Sequence, residues 1–275
     1  MNINEMLGYA FIQRALIAGS FIAVLCAVLG VLLVLRRLSL IGDGLAHVTF
    51  GSVALGLVLK VYPLYASLAV VTASSLGILK LMEKARIYGD AAIGIVSSVG
   101  IAGGVLLASM AGGFNVDLFS YLFGNILSIG TGDVITAIAV SSIVLLIVYF
   151  NYQDILSLTF DEEFAIASGI NAARINAVIV IMTAVTVVLT MKIVGIMLTS
   201  ALLILPAVTA FQVARGFGKA IVIAAVVSLF SVFAGMVASF SMNLPAGASI
   251  VMVNFLLFSL MFLYRNIRFS HVKRH

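Results

Sequence analysis

The stretch LSLIGDGLAHVTFGSVALGLVL, residues 38–59, is apolar enough to cross a membrane, yet it carries an aspartate and a histidine near its start. Only the 12 residues from 48 to 59 follow His47, whereas a membrane-spanning helix needs about 20 apolar residues. A helix that crosses here must therefore begin before Asp43, which places both polar side chains one to two turns inside the membrane. A charged residue at that depth costs about 2.5–3.5 kcal/mol, so the pair requires an explanation.

The rest of the chain has the composition of a membrane protein. Of its 275 residues 63% are hydrophobic and 9% are charged, with a mean hydropathy of +1.27, whereas about a quarter of a soluble domain is charged. Unpaired backbone is excluded from lipid, and the apolar runs are too long for barrel strands. We therefore predict an all-α polytopic transmembrane bundle, one domain over residues 1–275. The predicted spans are about 13–35, 38–59, 63–82, 91–111, 134–151, 173–191, 193–214, 220–241 and 250–264, eight or nine in number depending on whether the last one crosses.

The positions of the basic residues give the orientation. Twelve of the 15 lysines and arginines fall at alternate ends of the predicted spans, and Arg14, Lys60 and Lys192 remain for the other side. By the positive-inside rule the twelve face the cytoplasm. With nine spans the N-terminus lies outside and the C-terminus inside. The basic character thus reflects topology, and no binding to nucleic acid is expected; Lys192 is expected to anchor at the outer lipid surface.

Asp43 and His47 are four residues apart, so on a helix their side chains lie on the same face and can contact the same ion or group. Three interpretations follow from the residues alone: an internal hydrogen-bonded pair, a proton relay, or coordination of zinc, manganese or ferrous iron. Two ligands are too few for a zinc site, but a two-fold homodimer would supply four. Few other ionisable groups lie in the predicted spans, which disfavours an extended proton wire.

A cytoplasmic segment, SLTFDEEFAIASGINAARI at 157–175, predicts a short helix lying across the inner face. Three consecutive acids suit the N-terminus of a helix, where its dipole favours negative charge, and Gly169 suits its C-terminal end. Phe164 and Ile166 would then be available as knobs for a partner. The alternative is an ordinary amphipathic connector.

Together these stretches resemble the ABC-3 permeases, the membrane subunits of bacterial ABC importers for zinc and manganese. The similarity covers most of the chain in the order of the family. The matching stretches are LRRLSLIGDGLAHVTFGSVALG (35–56), VDLFSYLFGNIL (116–127), SLTFDEEFAIASGI (157–170), MKIVGIMLTSALLILPAVTA (191–210) and LPAGASIV (244–251).

The resemblance implies a homodimer of permease chains in the bacterial plasma (inner) membrane, with a central pathway between them. Asp43 and His47 match the D-x-x-x-H pattern whose residues contact the metal in the family. Two cytoplasmic ATPase subunits would dock on the helix at about 157–170, and an extracytoplasmic metal-binding protein would deliver the ion. The residues implied in ATPase coupling are Asp161, Glu162, Glu163, Phe164, Ala165 and Gly169.

Two prolines are candidates for a kink or gate. Pro206 lies inside a predicted span, where it removes a backbone hydrogen bond and bends the helix; a static bend explains it equally well. Pro245 lies in LPAGAS, which resembles the outer turn of the family. VDLFSYLFGNIL and PAGASIV are more similar to zinc-type members, which favours zinc over manganese or iron as the transported ion. No permanently bound cofactor is expected.

The chain has no Gly-rich nucleotide-binding loop of the P-loop type, so we expect ATP to be hydrolysed by a separate polypeptide and this chain to be a non-catalytic subunit working by alternating access. The rival class is a self-sufficient secondary carrier or channel with Asp43 and His47 as its ion or proton site. A membrane-embedded enzyme is a third class, which would require more intramembrane ligands.

Overall fold

The computed structural model describes residues 8–85, 87–110 and 116–272, and over these ranges the chain forms helices and no strand. The helices are α1 (Ala10–Leu35), α2 (Ile41–Val58), α3 (Pro63–Lys84), α4 (Gly89–Met110), α5 (Val116–Phe123), α6 (Thr131–Phe150), α7 (Tyr152–Phe160), α8 (Glu162–Ala167), α9 (Ala172–Thr190), α10 (Thr199–Phe211), α11 (Phe217–Met242) and α12 (Ala246–Val272). Short 3₁₀ turns occupy Ile126–Ser128 and Ile196–Leu198. The all-α prediction is confirmed.

Eight of the described helices are long and apolar enough to cross a membrane, namely α1, α2, α3, α4, α6, α9, α11 and α12. The last of these, over Ala246–Ile267, is much longer than the predicted span at 250–264. The final stretch therefore meets the length requirement for a full crossing.

A ninth passage is made by a shorter segment, Ile196–Phe211. At its start, the backbone of Val194 touches Gly247 near the beginning of α12. At its other end, Arg265 near the end of α12 donates a hydrogen bond of 2.8 Å to Gln212. The segment thus runs alongside α12 from one end of the bundle to the other, and the chain passes through the bundle nine times within the described ranges.

Helix α2 lies inside the bundle, and its contact with α4 is the most extensive between any two helices described. Glycines allow this contact: a Cβ on Gly51 would stand 2.5 Å from the carbonyl oxygen of Gly100, and a Cβ on Gly100 would stand 2.8 Å from Cα of Val48. Small residues at such positions let membrane helices approach closely. The two helices run in the same direction, so α4 supports α2 along most of its length.

The same kind of turn bounds α2 on each side. Arg37 and Lys60 take positive φ angles of 56° and 55°, and the amide of the next residue bonds a carbonyl five positions back, Leu38 to Leu33 and Val61 to Gly56. This is the Schellman ending of a helix, here without the usual glycine. It stops α1 just before α2 and fixes where α2 begins.

Candidate functional site

Asp43 and His47 lie on one face of α2, as their spacing predicts. His47 Nε2 and Asp43 Oδ2 are 3.5 Å apart, which is longer than an ordinary hydrogen bond of about 2.7–3.2 Å. The His47 side chain is 24% exposed and that of Asp43 is 49% exposed, and they are the only residues between 41 and 50 that are not buried. In the cytoplasmic half of α2, these two polar side chains alone reach an open surface.

The spacing of the two atoms suits a shared ion. Zinc bonds nitrogen and carboxylate oxygen at about 2.0–2.2 Å, so two ligands of a tetrahedral site stand about 3.4 Å apart. Asp43 also lies in the first turn of α2, where the helix dipole stabilises negative charge. The carboxylate therefore has electrostatic support from the backbone and retains room for a cation.

The described part of the chain contains no group of three or more His, Cys, Asp or Glu side chains that could hold a metal ion. Asp43 and His47 contribute two donors, and a metal held in this chain alone would take its remaining ligands from water. A second source of donors must face the open side of the pair for a four-ligand protein site.

Helix α4 offers a surface on that same side. Gly94, Ser98 and Ala102 follow one another at four-residue spacing and are all exposed, and a Cβ on Gly94 would meet no atom within 4 Å. Exposed small residues in this arrangement are typical of faces on which membrane helices pack. The polar pair on α2 therefore lies beside an unoccupied helix-packing face.

The cytoplasmic segment forms α8, which is shorter than the helix predicted at about 157–170. A separate helix, α7, precedes it, and Asp161 lies between the two helices as the N-cap of α8. Its carboxylate accepts a hydrogen bond of 2.9 Å from the amide of Phe164. Gly169 follows with φ +89°, and the amide of Ile170 bonds the carbonyl of Ala165 at 3.0 Å. The predicted start and stop signals are confirmed, while the helix itself covers only Glu162–Ala167.

The side chains of α8 divide into two sets. Phe164 and Ile166 are 64% and 54% exposed, and Glu162, Glu163 and Gly169 are exposed as well. Ala165 is fully buried, so it holds α8 against the bundle and cannot itself touch another protein. The exposed aromatic and aliphatic knobs are free to do so.

A half-buried arginine links α8 to α2. Arg36, at the C-terminal end of α1, donates a hydrogen bond of 2.6 Å from Nη2 to Oδ1 of Asn176 in α9. Burial lowers the pKa of its guanidinium, and the charge of Glu162 in α8 acts in the opposite direction. Arg36 and Glu162 also line one cavity of about 320 Å³ together with Ile41, the first residue of α2. In the sequence Arg36 is one of the twelve basic residues that indicate topology, and its place just before the D-x-x-x-H helix is the signal that could have identified it.

The prediction for Lys192 is wrong. Its ammonium does not extend to the lipid surface: the side chain is 14% exposed, and Nζ lies 2.8 Å from Asp133 Oδ1 and 2.6 Å from the hydroxyl of Tyr62. Burial alone would lower the pKa of this ammonium, but the bonds to Asp133 and Tyr62 outweigh it and raise the pKa above its ordinary value. Lys192 thus joins three outer segments of the chain. It pairs within the protein and does not extend to lipid, because acceptors from the loop before α3 and from the first turn of α6 converge on it.

The two prolines occupy different environments. Pro206 is buried inside α10, and Pro245 is exposed directly before α12, where its carbonyl accepts bonds from the amide and hydroxyl of Ser249. A role for either in gating stays a prediction.

The fold and the pair define a polytopic helical membrane protein with two potential metal ligands one turn inside its cytoplasmic end. The chain belongs to the ABC 3 transport family, whose model matches residues 8–265. It is 32% identical over 262 residues to the manganese transport system membrane protein MntC of Listeria monocytogenes, covering 95% of this chain and 93% of that one. It is 33% identical over 247 residues to the high-affinity zinc uptake system membrane protein ZnuB of Haemophilus influenzae, covering 90% and 94%.

A solved structure agrees with these relatives. PsaBC from Streptococcus pneumoniae, in complex with Fab, has a chain that superposes with a TM-score of 0.82 at 29% identity, covering 94% of each chain. The resemblance inferred from the sequence is confirmed: the chain is an ABC transporter permease, and it is a multi-pass protein of the bacterial cell membrane.

Proposed function

We propose that this chain is the non-catalytic membrane subunit of an ATP-driven importer that moves a divalent transition metal into the cytoplasm by alternating access. The observation that carries the proposal is the Asp43–His47 pair, with its two donor atoms 3.5 Å apart and open to one side. The manganese and zinc transport proteins to which the chain is similar support the class of ion. Zn²⁺ is the ion we predict, and Mn²⁺ is the second candidate because of the manganese relatives.

The working unit is proposed to be a homodimer. Two copies packed through the exposed face of Gly94, Ser98 and Ala102 on α4 would bring both Asp43–His47 pairs toward the dimer axis. The four donors would complete the ligand number of a zinc site. Separation of the pairs in another state would lower the affinity, and such differential affinity is what allows capture and release.

Energy would enter through α8. Phe164 and Ile166 are the exposed knobs for a cytoplasmic ATPase, of which a homodimer would hold two copies. Movement of α8 would reach α2 through Glu162 and Arg36, which share a cavity with Ile41. An extracytoplasmic metal-binding protein would deliver the ion to the opposite end, and no permanent cofactor is required.

Reconstitution separates this proposal from a self-sufficient carrier or channel. The chain is placed in vesicles alone, or together with its ATPase and its metal-binding protein, and uptake of Zn²⁺ and Mn²⁺ is followed. ATP is supplied or withheld on the side of the membrane where the ATPase lies. We expect uptake only when the ATPase, the metal-binding protein and ATP are all present. Uptake by the chain alone would contradict it and establish the rival class. The ratio of the two uptake rates would assign the ion.

A further inference from the structure

A long groove runs along the bundle on the side of α4 that faces away from the Asp43–His47 pair. Helices α3 and α4 stand apart there with α2 behind them, and the cavity between them has a volume of about 690 Å³. Its walls are mostly aliphatic, with Val70 on α3 and Val99 and Leu107 on α4. Because α2, α3 and α4 are all candidate membrane spans, the groove opens laterally into the membrane.

Helical geometry separates this groove from the proposed dimer face. Asp43 and the groove-lining Ser52 are nine residues apart on α2, which is two and a half turns, so they lie on opposite sides of the helix. Gly94 and the groove-lining Gly103 are likewise nine residues apart on α4. A dimer formed through Gly94 therefore leaves the groove uncovered.

The inner mouth of the groove is basic. Lys80 and Lys84 both line it, and their four-residue spacing places them on one face of α3. Both are exposed, and neither forms a salt bridge with any described residue. Two ammonium groups without an acidic partner thus stand where an apolar channel meets the cytoplasmic surface.

The length of the groove matches one leaflet. From Val70 to Lys80 the helix rises about 15 Å at 1.5 Å per residue, which is half of the hydrocarbon core of about 30 Å. An occupant that fits needs a hydrocarbon chain of one leaflet and an anion at its cytoplasmic end. Basic pockets between membrane helices on the cytoplasmic side are known to bind anionic lipid head groups.

We propose that this groove holds an anionic phospholipid of the inner leaflet, with its phosphate between Lys80 and Lys84 and an acyl chain along Gly77 and Gly103. A Cβ at either glycine would meet no atom within 4 Å, so the space is open for the chain. The proposal does not depend on which metal the protein carries.

Native mass spectrometry of the complete transporter, released from nanodiscs of equal phosphatidylcholine and phosphatidylglycerol, tests this directly. The Lys80→Gln/Lys84→Gln variant should lower the ratio of bound phosphatidylglycerol to phosphatidylcholine by about 30-fold, since each lysine near anionic lipid contributes about a factor of five. Gly77→Leu and Gly103→Leu should reduce the binding of both lipids by filling the groove. Lys219→Gln, at another exposed cytoplasmic lysine, and Ala139→Leu, at an exposed position of α6, are the matched controls and should resemble the wild type.

Equal phosphatidylglycerol binding by the wild type and the double lysine variant would overturn the proposal. A second measurement tests whether the groove is occupied by a second copy of the chain and not by a lipid. If the Gly103→Cys variant forms a disulfide-linked dimer in membranes, a protein and not a lipid covers the groove, and the proposal is wrong. The expected result is no such dimer.

Discussion

Arg36 and Asn176, which are 140 residues apart in the sequence, are joined by a hydrogen bond of 2.6 Å between guanidinium and amide. The bond ties the end of α1, immediately before the helix that carries Asp43 and His47, to α9, which follows the cytoplasmic helix α8. The charge of Glu162 acts on Arg36, and the two residues line the same cavity. Arg36 thus connects the proposed ATPase dock on α8 to the start of the helix that carries the metal pair.

Replacing Arg36 with Gln should uncouple transport from ATP hydrolysis. A hydrogen bond that involves a charged group contributes about 1.5–3 kcal/mol, so we expect metal uptake per ATP hydrolysed to fall about tenfold or more. ATPase activity itself should persist, because the dock on α8 is unchanged. Arg37→Gln, at the exposed neighbouring arginine, is the control. Unchanged uptake per ATP in the Arg36 variant would exclude this route of coupling.

Truncating Phe164 to Ala should release the ATPase while leaving the bundle folded. The side chain is 64% exposed and adds little to the core, but an aromatic anchor at an interface contributes about 2 kcal/mol or more to binding. Copurification of the ATPase is the measurement, with Phe230→Ala on α11, 55% exposed, as the control. If the ATPase copurifies equally with both variants, α8 is not its dock.

Gly169→Ala should weaken the same association by a different cause. The φ of +89° costs a residue with a side chain about 1–2 kcal/mol, and no neighbouring atom opposes the new methyl group. Weaker association with the ATPase should therefore result from a distorted C-terminal end of α8 and not from a steric clash. ATPase copurification at the wild-type level would show that the orientation of α8 does not matter for docking.

The contact between α2 and α4 can be tested with two glycines of α4 that are three residues apart. In Gly100→Ala the new Cβ would lie 2.8 Å from Cα of Val48, whereas in Gly103→Ala it would meet no atom within 4 Å. Both changes gain helix propensity, so the difference between them isolates the steric cost, about 1–3 kcal/mol. Thermal unfolding in detergent should place Gly100→Ala below the wild type and Gly103→Ala at or above it. Equal midpoints would show that α2 and α4 are not closely packed.

Lys192 should stabilise the outer side of the protein through Asp133 and Tyr62. Lys192→Met is expected to destabilise the bundle by about 1–3 kcal/mol, because it leaves Asp133 without its charged partner. The folded pKa of Lys192 is raised above the ordinary 10.5, so its contribution is complete below that pH and is lost as pH rises through the folded pKa. The wild type should therefore approach the variant in unfolding midpoint only above about pH 10.5. A constant difference up to pH 12 would contradict the pairing.

The sequence predicted well what depends on local spacing. Asp43 and His47 share a face because they are four residues apart, and α8 begins and ends at Asp161 and Gly169 because a cap and a positive φ are local requirements. The apolar runs predicted the spans, including the short passage that ends in α10.

What depends on distant partners could not be predicted. Lys192 pairs with Asp133 and with Tyr62, which lies 130 residues away, and no local pattern reveals that these three segments converge. The burial of Ala165 and the bond from Arg36 to Asn176 likewise follow from tertiary packing. The groove between α3 and α4 exists because α2 holds those two helices apart, which is a property of three helices together.

Asp43 and His47 are proposed to bind the transported ion, and their replacement tests this directly. ATP-driven uptake of Zn²⁺ and Mn²⁺ into proteoliposomes that contain the permease, its ATPase and its binding protein should fall at least tenfold in Asp43→Asn and in His47→Gln. Asp90→Asn, at an exposed aspartate outside the pair, should transport like the wild type, and all variants should assemble with the ATPase. Full uptake by both pair variants in an assembled complex would show that Asp43 and His47 are only a structural pair.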